Sequence, residues 1–176
     1  MKIRWMILMS NNIAKISDNY FTDREHRFIY EYCLSCAYSY GETDNAETPP
    51  TGLIHNITET EEIYPLIELR IKKSMAEEFS RYEIYRMYIN CFAPLENPYF
   101  HTDGEEGDLT FLYYPNHEWQ VDEGGETQIY DGEIIKGYPP IPNRMIVFDA
   151  ALLHRATCFR SRHRFTIAIK YKLLDK

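Results

Sequence analysis

His101 and Asp103 flank a single residue, Thr102, at the end of a stretch that reads as strand. On an extended chain, residues two apart leave the same face, about 6–7 Å apart at Cα, so both side chains can reach one ion. An imidazole with a carboxylate suits a first-row divalent metal, Fe(II) included. His-x-Asp is a short motif that also arises by chance, so its surroundings decide its weight. His154 follows the strand-like Met145–Phe148 and the largely apolar segment through Leu153, and it offers a third ligand. Two histidines and one carboxylate make a facial triad that leaves three coordination positions open. Ten residues further on, Arg164 opens the run Arg164-Phe165-Thr166-Ile167-Ala168-Ile169, in which Arg164, Thr166 and Ala168 share a face. An arginine on the inward face of a small barrel is costly unless an anion meets it, and a ligand carboxylate held bidentately answers that cost.

These residues need a scaffold. The chain of 176 residues is the size of one domain, expected to span residues 1–176. Thr22-x-x-Glu25 is a capping box, and it predicts a helix from there to about Cys36–Ser39, ahead of Gly41. Ile63, Leu66, Ile67, Ile71 and Met75 mark one face of a second helix, roughly Glu61 to Phe79, with Pro65 near its first turn. From Tyr82 the pattern turns to strands: Tyr82–Cys91, Leu109–Tyr114, Glu126–Tyr130, Arg144–Phe148 and Arg164–Leu173. Helices before a run of short strands give an α+β chain, with the helices buttressing one face of a β-sandwich or barrel. The opening Met1–Met9 reads as a buried strand; it is too short to span a bilayer, and no small-residue cleavage site follows it.

From about Tyr82 to Tyr171 the chain resembles the iron(II)- and 2-oxoglutarate-dependent oxygenases, in their prolyl 4-hydroxylase-like branch. The resemblance rests on His101-x-Asp103, Tyr113-Tyr114, Gly124-Gly125-Glu126-Thr127, Arg144 to Asp149, His154 and Arg164 to Ile169, in that order and spacing. It implies a double-stranded β-helix (jelly roll) over about residues 81–174, with the helical part, about 1–80, packed on the larger sheet. It implies further that His101, Asp103 and His154 ligate iron and are catalytic, and that Arg164 pairs with the distal carboxylate of 2-oxoglutarate. Tyr114 looks like the tyrosine that helps hold that carboxylate, and Thr166 lies where a second hydroxyl often assists. The implied reaction uses Fe(II), 2-oxoglutarate and O2, with ascorbate as an accessory reductant, and hydroxylates a C–H bond while releasing succinate and CO2. Two positions depart from the branch. Phe92-Ala93-Pro94-Leu95 stands where Tyr-x-Pro-Gly is frequent, which shifts weight to Tyr114 or Tyr88, and Arg164 stands where collagen-type prolyl hydroxylases carry lysine.

Composition bounds the alternatives. Hydrophobic residues at 44% and charged ones at 26% exclude a disordered chain. The net charge of −8 argues against nucleic acid and against anionic membrane as partners, although seven Lys/Arg against one acid follow Ala151. The substrate is expected to be a protein or peptide, peptidyl proline first, or else a free amino acid or other small molecule. Four cysteines without a disulfide framework fit a reducing, cytoplasmic compartment, and Cys33 and Cys36 read as buried thiols one helical turn apart. Glu123 and Glu126 read as solvated, Trp119 as packing or substrate contact, and Arg155, Arg160 and Arg162 as a solvated face or a rim. His26, His55, His117 and His163 read as structural or surface residues. The loops Gly41–Gly52 and Asn116–Gly125 are expected to frame the entrance. A cupin-like metal enzyme without 2-oxoglutarate would keep the triad but have no use for Arg164, and a binding-only jelly roll would need neither.

Overall fold

In the computed structural model, which describes residues 13–174, the capping box at Thr22 starts the first helix, α1 (Asp23–Ser35). The Thr22 hydroxyl accepts from the Glu25 amide at 3.3 Å and the Glu25 carboxylate from the Thr22 amide at 2.8 Å, satisfying two N–H groups that the helix cannot. The second helix, α2 (Ile63–Met75), is shorter than its apolar periodicity suggests. Ala76 takes φ 51°, and residues 76–81 continue as a 3-10 turn. Pro65 lies in the first turn, where its missing N–H forfeits no intrahelical bond. The strand expected over Met1–Met9 lies outside the described residues.

The strands are β1 (Lys15–Ser17), β2 (Ser39–Tyr40), β3 (Leu53–Asn56), β4 (Tyr82–Phe92), β5 (Leu109–Tyr114), β6 (Thr127–Tyr130), β7 (Ile135–Tyr138), β8 (Arg144–Asp149), β9 (Leu153–Ala156) and β10 (Arg164–Leu173). They build two antiparallel sheets, a larger one ordered β1-β8-β5-β10-β4-β3-β2 and a smaller one ordered β7-β6-β9. A single bridge, His101 to His154, continues the smaller sheet past β9. The architecture is the expected jelly roll, mostly sheet with two helices. β1, β2, β7 and β9, none longer than four residues, are additions to the strands read from the sequence, and β3 is the strand-like segment around His55.

Alternation along the long strands separates two buried clusters. Phe111 and Tyr113 of β5 and Phe165, Ile167 and Ile169 of β10 share a core with Ile29 of α1 and Ile67 and Ile71 of α2. Each such aliphatic side chain contributes roughly 1.5–3 kcal/mol on burial. Leu112 and Tyr114 of β5 and Ala168 of β10 face the other way, meeting Ile129 of β6 and Tyr138 of β7 between the sheets. The first cluster anchors the helices to the larger sheet. The second leaves part of the space between the sheets open, and the polar residues of β10 look into it.

Two expectations are corrected. Cys33 is buried, but Cys36 is only half-buried at the C-cap of α1, and all four cysteines are free thiols. Glu123 is not solvated. It is buried, and its carboxylate accepts from the Ser161 amide at 2.5 Å and the Arg162 amide at 3.1 Å, which pulls its pKa down and ties the loop before β10 to the loop before β6.

Candidate metal and cosubstrate site

His101 and His154 are held face to face by their own backbones. The His101 amide donates to the His154 carbonyl at 3.1 Å, and the His154 amide returns the bond at 2.9 Å. The following segment is pinned where β8 turns into β9, because the Asp103 and Gly104 amides both donate to the Ala150 carbonyl, at 2.8 and 3.1 Å. Each imidazole has its tautomer set. Nδ1 of His101 faces the Tyr99 carbonyl at 3.0 Å and Nδ1 of His154 faces the Leu152 carbonyl at 2.9 Å. A carbonyl can only accept, so Nδ1 carries the proton and Nε2 presents its lone pair inward. Asp103 completes the group, with its oxygens 3.6 Å from His101 Nε2 and 3.4 Å from His154 Nε2.

One ligand atom from each of His101, Asp103 and His154 lies within 4.8 Å of the others. An octahedral face with bonds of about 2.1 Å has edges of about 3 Å, so small side-chain rotations suffice to close on one ion. Asp103 Oδ2 accepts from the Thr110 hydroxyl at 2.8 Å, and the buried Oδ1 has the Lys170 ammonium 2.7 Å away. Burial acts to raise the pKa of Asp103, but contact with His154 and the charges of His154, Lys170 and His101 outweigh it, and the carboxyl lies far below its usual range. Burial, with His154 beside it, pushes His101 down and favours the neutral, ligating form. An N,N,O donor set of two neutral imidazoles and an ionised carboxylate fits a first-row divalent metal.

Arg164 is 1% exposed, yet among the described residues no carboxylate lies within ion-pair distance of it. Its Nε donates to the Gly125 carbonyl at 2.8 Å and one terminal nitrogen donates to Thr127 Oγ1 at 2.9 Å. A guanidinium has five N–H donors, so three remain for something else. Tyr114 also donates to Thr127 Oγ1, at 2.8 Å. The Thr127 oxygen thus accepts twice, and its own proton is free to be donated. Burial lowers the pKa of Arg164 and raises that of Tyr114, as expected of desolvated groups. A cavity of about 260 Å³ joins the two halves of the site: His101, Asp103 and His154 line it together with Arg164, Thr166 and Thr127.

Residues 86–171 match the family model of the 2OG-Fe(II) oxygenase superfamily. The chain carries a 2OG-Fe(II) oxygenase domain. It is accordingly a 2-oxoglutarate-dependent dioxygenase, using iron(II), 2-oxoglutarate and O2. No curated protein matches the sequence. Among solved structures, a Trichoplax adhaerens prolyl hydroxylase in complex with a hypoxia-inducible-factor peptide is similar at 17% identity and TM-score 0.73, over 94% of this chain and 86% of that one. A Pseudomonas putida prolyl 4-hydroxylase is similar at 13% identity and TM-score 0.72, over 94% and 95%. HygX from Streptomyces hygroscopicus, with nickel and 2-oxoglutarate bound, is similar at 9% identity and TM-score 0.77, over 99% and 88%. At these identities the likeness is one of fold.

The remaining expectations divide. Glu42, Thr43, Asp44 and Thr51 of the first entrance loop line the cavity, and the second loop, Asn116–Gly125, contributes nothing to its wall. Trp119 is a packing residue: its indole donates to the Gly124 carbonyl at 2.9 Å and meets Phe159 edge-on. It covers Gly125, where a Cβ would meet the Trp119 ring at 2.9 Å and where the carbonyl holds Arg164. Arg155 stacks on Phe100 and bonds Gln128, and Arg162 pairs with Glu118. His26, His55, His117 and His163 lie away from the cavity. Tyr114 is absent from the cavity wall and Tyr88 is on it. Three contributors escaped the sequence reading: Thr127, Asp44, which lies 3.4 Å from His101 Nδ1, and Lys170, which lies 2.7 Å from Asp103. Lys170 was discoverable, because it continues the Arg164, Thr166, Ala168 alternation by one more step. No helix among the described residues is long and apolar enough to cross a membrane.

Proposed function

We propose that His101, Asp103 and His154 hold the iron(II) of this oxygenase and that Arg164, Thr127 and Thr166 receive the distal carboxylate of 2-oxoglutarate. The observation that carries this reading is the buried, carboxylate-free guanidinium of Arg164 opening on the same cavity as the three ligand atoms. A cupin-like metal enzyme has no use for such a group, and a binding-only jelly roll has no use for the triad. The single-domain reading over residues 1–176 belongs to the same proposal.

Iron(II) with 2-oxoglutarate supplies the activation of O2, so that one oxygen atom enters a substrate C–H bond and the other leaves in succinate beside CO2. The protein supplies geometry and exclusion of water. The Tyr99 and Leu152 carbonyls keep both imidazoles in the tautomer that offers Nε2. Thr110 fixes the rotation of the Asp103 carboxylate by donating to Oδ2, which leaves Oδ1 toward the Lys170 ammonium, 2.7 Å away. Arg164 fixes the far end of the cosubstrate, with Thr127 offering its hydroxyl proton and Tyr114 positioning Thr127. Leu112 and Ala168 keep the wall between them apolar.

The substrate is a peptide or a small molecule. Of the similar structures, one holds a hypoxia-inducible-factor peptide and another, HygX, holds hygromycin B. The test of the reading is spectroscopic. Under anaerobic conditions the wild-type protein with Fe(II) should develop a weak visible charge-transfer band on addition of 2-oxoglutarate. No band with the folded protein would refute it.

A further inference from the structure

Lys170 and Arg86 are placed on the cavity by the same strand logic as Arg164. They are direct partners across the β4–β10 ladder, and both line the cavity. Their charges flank one aromatic ring: the Arg86 guanidinium lies 4.4 Å and the Lys170 ammonium 5.1 Å from the centroid of Tyr88. Like charges directly opposite on a ladder repel, so this pairing is a liability unless anions meet it. Arg86 has Glu42 at 2.8 Å. Lys170, itself buried, has one carboxylate within reach among the described residues, Asp103, whose Oδ1 lies 2.7 Å from Nζ.

That single counter-charge is shared. On the oxygenase reading, Asp103 and the proximal carboxylate of 2-oxoglutarate together neutralise the dication, and Arg164 neutralises the distal carboxylate. Lys170 is then a desolvated cation whose one carboxylate within ion-pair distance, Asp103, is shared with the dication, and to which the cosubstrate, with both carboxylates engaged, adds no charge. Arg164 cannot be sharing its ligand with Lys170 at this point, because six residues of strand, roughly 20 Å at Cα, separate the two. The under-compensated cation therefore faces the remaining occupant of the cavity. An internal residue of a peptide is neutral along its backbone and offers Lys170 nothing, whereas a free carboxylate offers the missing charge.

We propose that Lys170, assisted by Arg86 and the ring of Tyr88, is an anion subsite, and that the substrate is a small molecule bearing a free carboxylate. The proposal rests on the oxygenase reading and deepens it. It is tested on wild-type protein loaded with Mn(II) and 2-oxoglutarate in the absence of oxygen. The probes are the free amino acids, each one's primary amide, and an internal-proline peptide blocked at both ends. Thermal shift reads binding, and succinate release with Fe(II) in air reads turnover. At least one free acid is expected to raise the melting temperature and release succinate, with its amide and the blocked peptide inactive in both. Lys170→Met should weaken that acid at least about tenfold, the loss expected for one desolvated charge partner, and Lys170→Arg should recover most of it. The subsite is refuted if an amide or the blocked peptide binds as well as the best acid, if no acid binds, or if Lys170→Met leaves acid binding unchanged. The acid–amide comparison needs no variant, so a misfolded Lys170→Met does not rescue the idea. Wild-type protein that fails to bind Mn(II) and 2-oxoglutarate would instead refute the oxygenase reading beneath it.

Discussion

Replacing Arg164 by methionine keeps most of the length and the apolar stem of the side chain and removes its charge and its donors. Two effects on stability oppose one another. The Gly125 carbonyl and the Thr127 hydroxyl lose donors at 2.8 and 2.9 Å, and a buried acceptor left unsatisfied costs about 1–3 kcal/mol. Against that, a fully buried cation without an anionic partner disappears, which relieves its desolvation. The empty protein should therefore change by no more than about 2 kcal/mol, the sign being set by the balance. Ligand binding has no such compensation. Losing the charged partner of a desolvated carboxylate costs about 2–5 kcal/mol, a rise of roughly 30- to 5,000-fold in the dissociation constant. Calorimetric titration of 2-oxoglutarate into the Mn(II)-loaded variant, without oxygen, measures it directly. Arg164→Lys should recover part of the loss, since the charge returns without the fork. A folded Arg164→Met protein that binds 2-oxoglutarate within threefold of wild type would refute the cosubstrate assignment.

Alanine at His101 or His154 should abolish iron-dependent succinate formation and Mn(II)-dependent stabilisation while the circular dichroism stays native; retained turnover would remove that residue from the metal site. Leu95 is 79% exposed and holds φ 71°, so Leu95→Gly should relieve left-handed strain of about 1–2 kcal/mol against a smaller glycine entropy loss, and the melting temperature should rise. A fall would show that the strain estimate is wrong. At Glu61, burial raises the pKa, but bonds from Tyr32, His55 and Thr58 win and pull it from its ordinary 4.5 to about 2. Its folded pKa is thus below its unfolded one, so its stabilisation is complete above about pH 4.5 and is lost as the pH falls toward 2. Glu61→Gln should flatten the plot of melting temperature against pH in that window, and an unchanged acid limb would contradict the assignment.

The legible parts of the fold were those where composition and burial agree. β5 and β10 run from Leu109 to Tyr114 and from Arg164 to Leu173, as read from unbroken β-branched and aromatic runs. β7 and β9 were not legible because Lys136, Gly137, His154 and Arg155 interrupt any alternation over only four residues each. β1 pairs along one side alone and carries a single apolar residue, Ile16. The extent of α2 was overread because Phe79 continues its apolar period, whereas the backbone at Ala76 had already left the helix. In the site, His101, Asp103, His154 and Arg164 have types and spacings that few structural roles demand. Thr127 and Asp44 do not. A threonine opening a strand and an aspartate in a loop with Pro49-Pro50 have ordinary reasons to be there, and their roles depend on distances that only the folded chain defines.

β10 pairs with β4 on one side and with β5 on the other, and its odd positions serve the helices while its even positions serve the chemistry. The two sets are therefore locked in phase. Deleting one residue near its start would send Phe165 and Ile167 into the cavity and turn cations toward the helices, so folding and catalysis would fail together. The one irregularity in its ladder falls between Lys170 and Tyr171, after the last residue that faces the cavity. Such a strand accepts exchanges of side chain but not changes of length. New specificity can then arise by substitution at positions such as 168 and 170, or by remodelling the loop around residues 42–51, without disturbing the count that keeps Arg164 pointing inward.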